Sequence, residues 1–115
     1  MVKLDIKANG VTIAQFDREV ITEKEYNVVY DIVTDLLGNG KNKIILDLKT
    51  VINLTSSGVK LFLDIQNDIK NSGGSLVLVN VKEKIKEVLL ILDVLHFFIM
   101  FDSIEEADKY MNLWH

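Results

Sequence analysis

From its second residue the chain alternates. Val2, Leu4 and Ile6 are apolar and Lys3, Asp5 and Lys7 polar, which is the period of a half-buried strand. Asn9-Gly10 follows, and alternation resumes at Val11-Thr12-Ile13. Asn-Gly between two such runs predicts a β-hairpin with both turn residues at positive φ. The period then changes. Thr22-Glu23-Lys24-Glu25 has the form of a capping box, and Val28, Val29, Ile32, Val33, Leu36 and Leu37 recur at helical spacing. Gly38-Asn39-Gly40 supplies left-handed positions that stop this helix. Residues 43–48 are a nearly continuous apolar run, as in a strand buried on both faces.

A second helix is predicted over residues 57–70, with Leu61, Phe62, Ile65 and Ile69 facing inward and Asn71-Ser72-Gly73-Gly74 ending it. Leu76-Val77-Leu78-Val79 reads as another fully buried strand, and two such strands joined by a helix make a right-handed βαβ unit. A third helix covers residues 82–92, with Ile85, Val88, Leu89 and Leu92 on one face. Residues 97–101 read as the final strand. Ser103-Ile104-Glu105-Glu106 reads as a second capping box opening a helix through Met111, with Trp114 folding back onto the body. The order ββαβαβαβα predicts an α/β domain: a mostly parallel, mixed sheet of about five strands with about four helices. There is no proline, repeat, low-complexity tract or linker, so residues 1–115 are read as one domain.

Composition narrows the chemistry. With 115 residues and 49% apolar content, the chain can bury a core without cross-links. The absence of cysteine excludes thiol catalysis, Cys-ligated zinc and disulfides. The net charge is −4, Arg18 is the single arginine, and no basic face is clustered, so a nucleic-acid partner is not expected. The apolar-rich stretch 88–101 is interrupted by Asp93 and His96 and is too short to span a bilayer. The N-terminus alternates as a strand and lacks an apolar signal region, so a cytoplasmic location is expected.

Most candidate constellations resolve into structure. A nucleophilic serine needs a base and an orienting group. His115 is the last residue, and His96 is remote in sequence from any candidate serine; it reads as a loop histidine packed on Phe97. Asp102, Glu105 and Glu106 stand at a helix start, where acidic side chains complement the dipole, so no metal site is read there. Asp64 and Asp68, four apart, read as a solvated helix face. Gly38-Asn39-Gly40 and Gly73-Gly74 follow helices, the wrong end for cradling phosphate. No catalytic residue, metal or cofactor is assigned. A small flavodoxin-like enzyme would need a nucleotide motif that the chain lacks.

Thr55-Ser56-Ser57-Gly58 is different. A buried strand empties into a polar turn that opens a helix, beyond the C-terminal end of a central strand, where open α/β sheets place their sites. One hydroxyl suffices as an N-cap, yet three stand in a row. Free backbone N–H groups and the positive end of the dipole make such a position tolerant of a phosphate.

Ile44-Ile45-Leu46-Asp47-Leu48, Thr55-Ser56-Ser57-Gly58-Val59, Gly73-Gly74-Ser75-Leu76-Val77-Leu78-Val79-Asn80-Val81, Val88-Leu89 and Asp102-Ser103-Ile104-Glu105-Glu106-Ala107, in that order, resemble the STAS family of bacterial anti-sigma factor antagonists and sulfate-transporter domains. The resemblance spans essentially the whole chain. It implies a non-enzymatic regulator that binds an anti-sigma factor serine kinase, is switched off when the kinase phosphorylates Ser57, and is reset by a metal-dependent serine phosphatase. The helix carrying Ser57 would then carry the partner surface, with Asn53, Thr55, Ser56, Gly58, Lys60 and Asp64. Two positions depart from the family pattern: Thr55 replaces the usual aspartate, and Lys60 replaces a small residue. Thr55 favours the alternative implied by the same resemblance, a STAS scaffold or interaction subunit of a sensory or transport complex that is not phosphorylated.

Overall fold

The computed structural model describes residues 2–113. Strands β1 (Val2–Ile6) and β2 (Val11–Phe16) pair antiparallel with Leu4 opposite Ala14, as the alternation predicts. The turn between them is not the one expected. Gly10 takes φ +89°, whereas Asn9 stays out of the left-handed region. Lys7 N–H donates to the Val11 carbonyl at 2.8 Å and Gly10 N–H to the Lys7 carbonyl at 3.1 Å. The loop therefore has three residues with glycine at the left-handed place. Asn9 uses its side chain instead, accepting from Val11 N–H at 3.1 Å.

The chain continues through β3 (Val20–Ile21), α1 (Glu23–Gly38), β4 (Lys43–Asp47), β5 (Asn53–Leu54), α2 (Ser56–Asn71), β6 (Ser75–Val79), α3 (Glu83–Ile91), a 3₁₀ turn (Leu95–Phe97), β7 (Ile99–Phe101) and α4 (Ile104–Asn112). The main sheet has the order β1-β2-β4-β6-β7 and is parallel except at β1, so the mixed α/β architecture is as expected. On one face, Ile44, Leu46, Leu76 and Leu78 pack with Val33 of α1, Phe62, Ile65 and Ile69 of α2, and Ile85 and Leu89 of α3. On the other, Ile13, Ile45, Val77 and Val79 pack with Ala107 and Met111 of α4. Both faces of β4 and β6 are thus covered, which is why these strands read as unbroken apolar runs.

The parallel pair β3 and β5, with Val20 opposite Asn53 and Ile21 opposite Leu54, was not expected. Phe97 lies in the 3₁₀ turn rather than in the last strand, which begins at Ile99. Leu92 falls beyond the end of α3 and is exposed with Leu90 and Ile91, because Asp93 takes φ +58° and turns the chain. The Thr22 capping box is complete. At α4 only half of the box forms. The Ser103 hydroxyl accepts from Glu106 N–H at 3.2 Å, while the Glu106 carboxylate meets that hydroxyl instead of the Ser103 N–H. Trp114 and His115 lie outside the described residues. No described helix is long and apolar enough to cross a membrane.

Candidate functional site

The Ser57 turn is held in place by β3. Leaving β4, the chain buries Leu48 and Val51 and forms β5 against β3. Thr55 then fastens the helix start. Its N–H and its hydroxyl both donate to the Ile21 carbonyl, at 3.2 and 2.9 Å, and the hydroxyl accepts from Gly58 N–H at 3.4 Å. Thr55 is the N-cap, so α2 begins at Ser56, one residue earlier than the sequence reading placed it. Gly58 is buried against β3. A Cβ at this position would lie 2.8 Å from the Ile21 carbonyl oxygen and 3.3 Å from the Ile21 Cβ, so a residue without a side chain is what allows α2 to approach this closely.

Thr55 and Ser56 are exposed and Ser57 is half-buried. Among the described residues, neither serine hydroxyl is engaged in a hydrogen bond. The first-turn amides of Ser56 and Ser57 have no intrahelical acceptor, and both serines stand in the first turn, at the positive end of the helix. Asn53 is half-buried and turns its Oδ1 onto Leu54 N–H at 2.9 Å. Exposed Val20 and Ile52 flank the turn, and sequence reasoning missed both as site residues. Their juxtaposition depends on the β3–β5 pair.

Asp64 and Asp68 are not a free solvated face. Tyr26 of α1 donates to Asp64 Oδ2 at 2.5 Å, and Tyr30 donates to Asp68 Oδ2 at 2.8 Å. The two tyrosine rings stack at 5.7 Å. Lys60 Nζ bridges to the same Asp64 oxygen at 2.7 Å, reaches the Tyr26 hydroxyl at 3.3 Å and lies 4.9 Å from the Tyr26 ring centroid. The hydrogen bond from Lys60, then that from Tyr26, holds the Asp64 carboxyl below its ordinary range. Donation to Asp64 pushes the Tyr26 phenol up, and the Asp64 carboxylate does the same to Lys60. The sign of the pH dependence follows. A carboxyl depressed in the fold contributes stability above its unfolded pKa of about 3.9, lost as pH falls through the lower folded value. The raised phenol and ammonium contribute below their unfolded values of about 10, lost as pH rises through the folded ones. Asp64→Asn is therefore expected to flatten both the acid and the alkaline limbs of a stability–pH curve, read from urea midpoints. Unchanged limbs would count against the cluster.

The remaining candidates stay apart from this turn. His96 packs on Phe97 at 4.3 Å, as expected, beside Gln66 and Lys70, more than two helical turns along α2 from Ser57. Among the described residues no group of acidic or histidine side chains could hold a metal ion.

An open α/β sheet with a hydroxyl-rich turn at the start of its second helix is an arrangement that this chain shares with a known domain family. The STAS domain model matches residues 5–107, and the chain belongs to that family. A candidate anti-sigma factor antagonist of Thermotoga maritima is 29% identical over 99 residues, covering 86% of this chain and 88% of that one. The crystal structure of a candidate antagonist from the same organism superimposes with a TM-score of 0.83 at 26% identity, covering 96% of this chain and 94% of that one. The Bacillus cell fate determinant SpoIIAA, solved in its phosphorylated form, shares the fold with a TM-score of 0.74 at 14% identity, over 96% of this chain and 99% of that one.

Proposed function

We propose that this chain is an anti-sigma factor antagonist, a non-enzymatic partner-switching protein whose switch is Ser57. The observation that carries this reading is the half-buried Ser57, its hydroxyl unengaged, in the first turn of α2, in a fold shared with antagonists. The unmodified chain binds an anti-sigma factor serine kinase through Asn53, Thr55, Ser56, Lys60 and Asp64, with Val20 and Ile52 as an apolar margin; Gly58, buried against β3, shapes the turn and does not meet the partner. The kinase supplies the catalysis. Ser57 Oγ bonds to the γ-phosphorus of ATP and gives up its proton, and ADP leaves. A metal-dependent serine phosphatase hydrolyses the ester and restores the hydroxyl. The chain itself contributes only the acceptor and the surface, and such a cycle belongs in the cytoplasm.

Thr55 does not argue for an unmodified scaffold. Its hydroxyl donates to the Ile21 carbonyl as well as capping α2, and a carboxylate can do only the second. Threonine here has a reason in the fold that is independent of any kinase. Incubation with the anti-sigma kinase of the same genome and Mg-ATP should add the mass of one phosphoryl group, and Ser57→Ala should abolish the gain. Phosphate located on Ser56 or Thr55 by peptide mass spectrometry would overturn the assignment.

A further inference from the structure

We propose that Lys60 is a two-position latch: it rests on Asp64 and Tyr26 while Ser57 is free, and moves to the phosphate when Ser57 is phosphorylated, leaving Asp64 without its counter-ion. This rests on Ser57 being the modified residue. Ser57, Lys60 and Asp64 follow one another at spacings of three and four on α2, so they lie in one stripe with Cβ atoms about 5–6 Å apart from one to the next. Lys60 is the middle member. Its present partners all lie on the C-terminal side of the stripe or on α1: Asp64 Oδ2 at 2.7 Å, the Tyr26 hydroxyl at 3.3 Å and the Tyr26 ring.

The existing bond is of the kind that can be exchanged. The Lys60 side chain is 67% exposed and that of Asp64 35%, and exposed pairs of this type are held weakly. A phosphoserine offers about −1.5 to −2 charges and three acceptor oxygens in place of a single carboxylate. Lysine carries its charge on a long flexible stem, so it can change partner without the backbone moving. When it leaves, Asp64 keeps the Tyr26 hydroxyl and loses the cation. One modification thus alters the surface over two turns of α2 and at the facing tyrosine of α1. The neighbouring Tyr30–Asp68 hydrogen bond includes no lysine among the described residues and should stay as it is.

The test uses the full chain with phosphoserine incorporated at position 57 during translation, so it needs no kinase. Nuclear magnetic resonance follows the Asp64 carboxyl carbon and the phosphate phosphorus through pH titrations, in the parent and in Lys60→Gln. As the phosphate gains its second charge near pH of about 6, the Asp64 carboxyl carbon of the parent should shift with it, because Lys60 leaves it for the dianion. In Lys60→Gln the same phosphate should move Asp64 by less than half as much, because no cation is there to be withdrawn. The second ionisation of the phosphate should be lower in the parent than in Lys60→Gln. Tyr26 resonances should shift more than those of its stacked neighbour Tyr30. An Asp64 carbon that does not follow the second ionisation of the phosphate overturns the latch, as does an equal shift in both chains, which would be charge acting through space. A chain that shows the latch yet is never phosphorylated by its kinase would fault the function instead.

Discussion

Phosphoserine at position 57 is expected to lower affinity for the proposed anti-sigma partner by a factor of about thirty to several thousand. The same modification should move the melting temperature by a few degrees at most. The asymmetry comes from where the charge lands. In the free chain the phosphate faces solvent, unpaired amides and the positive end of α2, a setting worth about 0.3–2 kcal/mol in its favour. In the complex the same oxygens must give up water beside partner atoms, and an ill-matched charge at an interface costs about 2–5 kcal/mol. Isothermal titration of the partner with the unmodified and phosphorylated chains, alongside calorimetric melting of each alone, checks both halves. Equal affinities would remove the switch. A large fall in melting temperature would mean that the phosphate acts by unfolding the domain.

The largest stability loss is expected from Gly74→Ala, about 3 kcal/mol or more. Gly74 opens β6, where Ser75 N–H donates to the Asn42 carbonyl at 2.9 Å and fixes the register of the two central strands. A Cβ on Gly74 would fall on the Asn42 carbonyl and the Asn42 Cβ. The obstacle is largely backbone rather than the tip of a movable side chain, so β4 and β6 must part at their start. Its neighbour is the control. Gly73 takes φ +82°, but a Cβ there meets nothing within 4 Å, so Gly73→Ala should cost only the left-handed strain of about 1–2 kcal/mol. Urea denaturation of both variants orders the two costs, and a dearer Gly73→Ala would refute the steric account.

What the sequence discloses is what repeats within one element. The period-two strands, the 3.6-residue helices, the Thr22 capping box and the buried runs of β4 and β6 all announce themselves locally. Two-residue strands do not, because β3 and β5 are too short to show a period and exist through their pairing with each other. The same pairing moved the start of α2: three hydroxyls in a row leave the N-cap open, and the Ile21 carbonyl decides for Thr55. On α3, Leu92 fits the apolar face of Ile85, Val88 and Leu89 until Asp93 turns the chain. The acidic pair on α2 misled for a related reason. Its partners sit thirty-eight residues away in sequence on α1, as Tyr26 and Tyr30. The available signal was the matched spacing, two tyrosines four apart and two aspartates four apart, which lets one helix answer the other rung by rung.

The clamp between β3 and the start of α2 also bears on how such proteins diversify. Thr55, Gly58 and Ile21 carry the burden of holding the turn, so the outward side chains at Val20, Ile52 and Ser56 owe the architecture little. Under the proposed function, drift at those three places changes which kinase a duplicate gene product recognises while its folding stays intact. A genome can therefore keep several such chains side by side, each insulated from its siblings by a handful of surface atoms.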